Sequence, residues 1–262
     1  MLHLVAHTVR YRLLFFNMVE GVDLFHRLDR LPLYALCVMP DHVHVLVPMD
    51  VRRRLGAVLS GWARRRNALE GMRGALVEPL PEGEVLVDRQ KQQRAIRYLH
   101  LNPTRAGLAD DPLAWPLSTH RDACGLTVRR VGPARRAEGF HRYVSGDPTV
   151  DVMGTELPRE EGGGSLWEVL RAVSAVTRTP VAKLRGQRTR GLAVRAAEEI
   201  AGATRMEVAA VLRCHRATMY RLDPVSAEEL ALVRRVVGDP RFRAVDDRDL
   251  RGTWAWRRYL GR

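Results

Sequence analysis

Apolar positions along the chain follow two rhythms, separated by a polar stretch at 145–164. Before that stretch, residues 3–16 read as a strand and "VDLFHRLDRL" (22–31) as a short helix. "YALCVMPDHVHVLV" (34–47) reads as two strands around a Pro-Asp turn, a hairpin. Leu55, Val58, Leu59 and Trp62 recur at helical spacing inside "RRRLGAVLSGWARRRNAL". "EPLPEGEVLV" (78–87) is a loop leading to a short strand. Asp88 is placed to cap the next helix, "RQKQQRAIRYLHLN" (89–102), which Pro103 is expected to stop. After the polar stretch, which reads as a linker, the rhythm is helical throughout. Three capping boxes mark helix starts there: Ser165 with Glu168, Thr204 with Glu207, and Ser226 with Glu229.

On the second hairpin strand, His42, His44 and Leu46 share one face, while Val43, Val45 and Val47 share the other. The two histidines then stand about 6.6 Å apart at their Cα atoms, twice the strand rise, which lets both rings converge on one metal ion. A bare His-x-His equally describes two histidines at a solvent edge, and two ligands leave a divalent ion incomplete. The helix at 89–102 supplies further chemistry, because Tyr98 and Asn102 lie one turn apart on one face with Lys91 and Arg94 ahead of them. A phenol, an amide oxygen and cations beside a histidine pair form a constellation suited to phosphodiester cleavage. Each residue also has a plainer reading, Tyr98 as a half-buried aromatic and Asn102 as a helix cap.

Charge narrows the partner. The net charge is +13 with a pI near 10.8. Residues 1–150 hold 22 basic against 15 acidic residues (+7), and 151–262 hold 21 against 15 (+6). An excess in both halves favours a polyanion touching both. The three cysteines, Cys37, Cys124 and Cys214, fit neither a disulfide framework nor a zinc-knuckle spacing, and read as reduced packing residues. No apolar run approaches a membrane span, and the N-terminus lacks a signal-peptide core, so a cytoplasmic, nucleoid-associated protein without a membrane partner is expected.

Three blocks in order, "ALCVMPDHVHVLV", "RAIRYLHLNPTRAGL" and "DPLAWPLSTHRDACG", resemble the HUH single-tyrosine transposases, in particular the REP-associated group. The resemblance covers roughly residues 3–125, with Asp41 standing where relatives commonly carry Asn. It implies an α+β fold: a ferredoxin-like HUH domain over 1–144, an antiparallel sheet with helices, then a linker over 145–164. It also implies His42 and His44 as ligands of Mg²⁺ or Mn²⁺, Asn102 as the third metal-side group, and Tyr98 as the nucleophile. Lys91, Arg94 and Arg105 become contacts to single-stranded DNA. The implied activity is cleavage and rejoining of single-stranded hairpin or palindromic repeat DNA through a 5′-phosphotyrosine.

In the second half, "TRMEVAAVLRCHRATMYRL" (204–222) reads as helix, turn, helix, the second beginning near His215. With "VAKLRGQRTRGLAVRAAEEIAG" before it, this resembles the DnaA-C-terminal-like, Trp-repressor-type helix-turn-helix, with Cys214 where that signature commonly has Asp. An all-α DNA-binding domain over 165–262 follows, with Arg213, His215, Arg216, Thr218 and Arg221 as duplex contacts. The alternative is a helical bundle with a basic surface. The tail "RGTWAWRRYLGR" interleaves Trp254, Trp256 and Tyr259 with arginines, an arrangement open to base stacking or to docking of a C-terminal segment. The chain would act as a monomer or homodimer. The competing expectation is a non-enzymatic DNA-binding regulator that keeps the helical domain and has lost cleavage. A hydrolytic zinc enzyme is disfavoured, since no third His, Cys or acidic ligand sits at metal spacing in the sequence.

Overall fold

The computed structural model describes residues 1–127, 137–154, 156–158 and 163–243. The chain divides into two compact units, Met1–Gly125 with Pro133–Leu157, and Leu126–Gly132 with Pro158–Arg262. The C-terminal tail, with Trp254, Trp256 and Tyr259, lies outside the described residues.

The first unit is α+β. Its order is β1 (Leu2–His7), α1 (Met18–Leu28), β2 (Ala35–Val38), β3 (His42–Val47), α2 (Arg52–Glu70), β4 (Glu84–Val85) and α3 (Arg89–Arg105). The four strands form one sheet in the order β2-β3-β1-β4, with every neighbouring pair antiparallel. Alternation sets the faces. Leu2, Leu4 and Ala6 of β1 align with Val47, Val45 and Val43 of β3, and Leu36 and Val38 of β2 continue the row. All of these side chains are buried, as the second, all-valine face of the hairpin strand requires. Helix α1 packs against β2 and α2. Between β2 and β3 the chain turns at Pro40-Asp41, closed by Met39 N–H donating to the His42 carbonyl at 2.8 Å.

The first unit departs from the sequence pattern at β1 and at α3. The strand expected over 3–16 ends at His7, and Val9–Tyr11 form a 3₁₀ turn in which Arg10 and Tyr11 take left-handed φ of 53° and 56°. "VRYR" keeps the two-residue alternation but "LLFF" (13–16) breaks it, and Leu14 N–H reaches the Pro40 carbonyl at 2.6 Å instead of a strand partner. Helix α3 does not stop before Pro103 but runs through it to Arg105. In the last turn proline removes a single N–H, and Ala106 N–H closes the end on the Asn102 carbonyl at 2.9 Å. Asp88 caps the start as expected, accepting from the N–H groups of Gln90 and Lys91.

Among the described residues, two short helices follow in this unit, α4 (His120–Ala123) and α5 (Ala137–Ser145), the latter packed on α3. Trp115 fixes the preceding segment to the sheet by donating Nε1–H to the Val38 carbonyl at 3.0 Å.

The second unit is helical among its described residues: α6 (Leu166–Thr177), α7 (Gln187–Ala201), α8 (Arg205–Leu212), α9 (Ala227–Val237) and α10 (Pro240–Arg243). All three capping boxes are formed, with both reciprocal hydrogen bonds, at α6, α8 and α9. Val169, Val173, Ala196, Val208, Val233 and Val236 meet in its core. After α8, Arg213 turns the chain with a left-handed φ of 51°. The second helix expected from His215 is a five-residue 3₁₀ segment, Arg216–Tyr220, with His215 Nδ1 accepting from Ala217 N–H at 3.2 Å. Pro224 disfavours helical backbone at Asp223, so little chain is left in which the segment could lengthen. Among the described residues, no helix is long and apolar enough to cross a membrane.

Candidate functional site

The polar face of the sheet carries four histidines rather than the two singled out in the sequence. Register places His7 of β1 directly opposite His42 of β3, and Val5 opposite His44. The rings of His7 and His42 stack with centroids 5.3 Å apart, and those of His3 and His44 stack at 5.9 Å. His42 and His44 meet edge to face at 4.8 Å. The missed pair was visible as His3-x-Val5-x-His7, a two-residue period on β1 that puts both imidazoles on one face.

Tyr98 comes from α3, which packs on β2 and β3. Its ring stands edge-on to His44 with centroids 5.7 Å apart, while 45% of the residue remains exposed. The Arg105 guanidinium lies over the same ring at 4.9 Å and also reaches Asp147 at 3.5 Å. Asn102 donates Nδ2–H to the Tyr98 carbonyl at 3.1 Å, which leaves Oδ1 as the atom it could offer a cation. Lys91 and Arg94 are exposed on α3 and continue the stripe that holds Tyr98 and Arg105.

Burial pushes the His44 imidazole down to about 3, and the neighbouring His42, His3 and His7 push the same way, so the ring is neutral at physiological pH. Burial also lowers His3, against the opposing pull of Glu84. His42 is oriented by a carboxylate, its Nδ1 lying 2.7 Å from Asp41 Oδ1. That arrangement fixes the tautomer and turns Nε2 into the available lone pair, as a metal-ligating histidine requires. His44 Nδ1 is buried without a hydrogen-bond partner. A neutral His44 with an unsatisfied nitrogen, beside a His42 oriented by Asp41, fits a cation site.

A second cluster, absent from the sequence reading, lies behind α3. His120, Cys124 and His141 are buried, and their ligand atoms all fall within 4.8 Å of one another, so the group could hold a metal ion. In the sequence Cys124 reads as a packing residue and His120 stands out for nothing. The His-x-x-x-Cys spacing was the available signal, since a helix brings i and i+4 together. His141, seventeen residues beyond Cys124, carried none.

In the second unit, Arg213, His215, Arg216 and Arg221 are exposed around the 3₁₀ segment, and Thr218 is half-buried. Thr218 Oγ1–H is committed to the His215 carbonyl at 2.6 Å, and the Arg221 carbonyl accepts from Arg190 at 3.0 Å. No family model, no curated protein and no solved structure matches the chain.

Proposed function

We propose that the protein is a single-strand DNA endonuclease and strand transferase of the HUH tyrosine class. The observation that carries the reading is the approach of an exposed Tyr98 to the His42–His44 pair, with His44 and Tyr98 ring centroids 5.7 Å apart. The order β1-α1-β2-β3-α2-β4 with sheet order β2-β3-β1-β4 supports a ferredoxin-like framework for it.

His42, His44 and the Asn102 Oδ1 would hold the divalent cation. Imidazole donors suit Mn²⁺ better than Mg²⁺, whose sites are built from oxygen. When bound, the ion supplies Lewis-acid polarisation of a phosphate oxygen. The chain's own groups do the rest. Tyr98 Oη forms a bond to phosphorus as the P–O3′ bond breaks. The phenol gives up its proton and the departing 3′ oxygen gains one, leaving a 5′-phosphotyrosine and a free 3′-OH. The number of phosphodiester bonds is conserved, so rejoining by a 3′-OH needs no nucleotide. Arg105, over the Tyr98 ring, and the exposed Lys91 and Arg94 would hold the backbone phosphates. Arg213, His215, Arg216, Thr218 and Arg221 would bind duplex DNA flanking the hairpin.

A denaturing gel of the protein incubated with Mn²⁺ and hairpin-bearing single-stranded DNA tests this. A DNA-linked band formed by the wild type and lost in Tyr98→Phe is expected. Tight duplex binding with no adduct on a broad set of hairpins would favour a DNA-binding regulator instead.

A further inference from the structure

We propose that His120, Cys124 and His141 form a second metal site, selective for a borderline-soft divalent cation of the Zn²⁺ kind, that staples α4 to α5. It stands independently of the nuclease reading. The three side chains come together because α4 spaces His120 and Cys124 by one turn, and α5 delivers His141 against them. His120 Nε2 lies 3.0 Å from His141 Nδ1, and Cys124 Sγ lies 3.8 Å from the same His120 nitrogen. A tetrahedral zinc with ordinary Zn–N and Zn–S lengths needs N···N of about 3.3 Å and N···S of about 3.6 Å. Both distances from His120 Nε2 are within a few tenths of an ångström of that arrangement, and the ligand atoms of all three residues lie within 4.8 Å of one another. Pairwise imidazole–imidazole and thiol–imidazole hydrogen bonds account for each contact singly, while the gathering of all three ligand atoms is what a cation requires.

The surroundings fit a ligand set. All three residues are buried, so an ion there would be shielded from exchange. His141 is also hydrogen-bonded by the backbone of Glu156 and Gly154, and the Asp111 carboxylate is close enough to interact with it. Metal-bound histidines are typically held in this way by a backbone or carboxylate partner on the other nitrogen. Two imidazoles and a thiol select Zn²⁺ over Mg²⁺ or Mn²⁺, which separates this site chemically from the His42–His44 site. Ser145 Oγ lies 3.1 Å from His141 Nδ1 and 3.4 Å from its Nε2, close enough to offer an oxygen to the same ion. His100 of α3 has its ring 5.0 Å from that of His120, so an ion here would brace the buried side of the helix that presents Tyr98.

Cobalt distinguishes the sites, because only a cysteine ligand gives thiolate-to-Co²⁺ charge-transfer absorption. The full-length protein, stripped with chelator and titrated with Co²⁺, should show that band at one equivalent. Cys37→Ser, Cys214→Ser and the His42→Ala/His44→Ala double variant should keep it, and Cys124→Ser should lose it. Zinc-edge X-ray absorption on the wild type needs no variant, and should give one sulfur at about 2.3 Å with nitrogen or oxygen at about 2.0–2.1 Å. Absence of the cobalt band, its persistence in Cys124→Ser, or a zinc shell without sulfur would overturn the proposal.

Discussion

Asp41 and His42 form the most informative pair of neighbours in the first unit. The sequence resemblance marks Asp41 only as a departure from Asn, whereas the structure gives it work: its carboxylate lies 2.7 Å from His42 Nδ1. If that contact sets the ligand tautomer, Asp41→Ala should weaken Mn²⁺ binding by about 10–100-fold, read by isothermal titration. An unchanged affinity would detach Asp41 from the site. The buried imidazoles also make a pH prediction. Burial holds His44 and His100 at about 3 in the folded chain, against 6.5 for an unperturbed imidazole. The unfolded chain therefore binds more protons below pH 6.5. Their contribution to stability is fully present above that pH and declines as pH falls from 6.5 towards about 3. Urea midpoints measured across this window should drop, and His100→Gln should make the drop shallower.

At the scale of elements, the C-terminal helices depend on their boundaries and on one close approach. Thr204→Ala removes the acceptor for Glu207 N–H and should cost about 1 kcal/mol in thermal or urea unfolding. Gly191 sits where a Cβ would lie 2.7 Å from the Asp223 carbonyl oxygen, a backbone atom that cannot swing aside. Gly191→Ala should therefore destabilise by about 1–3 kcal/mol through overpacking. The capping boxes were legible because their chemistry is local: four consecutive residues contain both partners. The hairpin and the His42/His44 face were legible for the same reason, since alternation and a Pro-Asp turn need no distant information. The extent of β1, the passage of α3 through Pro103 and the 3₁₀ segment after His215 were not. The end of β1 depends on a distant carbonyl, since Leu14 N–H pairs with Pro40. The other two depend on cap hydrogen bonds, Ala106 N–H on Asn102 and Ala217 N–H on His215, that residue spacing alone does not announce. The same limit hid half of the histidine row, because the register of β1 on β3, not the wording of either strand, makes four rings one surface.

Across the whole molecule, the positive charge is divided between two units of different architecture. Under the proposed function they carry separate tasks, chemistry on single strands in the first and duplex binding in the second. Replacing Arg213, Arg216 and Arg221 together by Gln should weaken duplex binding. It should also flatten the dependence of binding on log salt by roughly 0.9 for each phosphate that is no longer neutralised. The yield of covalent adduct on a single strand should be unchanged. Equal losses of both activities would mean that the two surfaces act on one DNA segment.

Under the proposed function, the Tyr98 hydroxyl becomes the point of attachment to DNA. Mass spectrometry of the trypsin- and nuclease-treated reaction locates that attachment directly. A nucleotide joined through its 5′ phosphate should appear on the peptide 98–105, at Tyr98, only when Mn²⁺ is supplied. DNA attached to another tyrosine, or that peptide unmodified beside cleaved DNA, would rule out Tyr98 as the nucleophile.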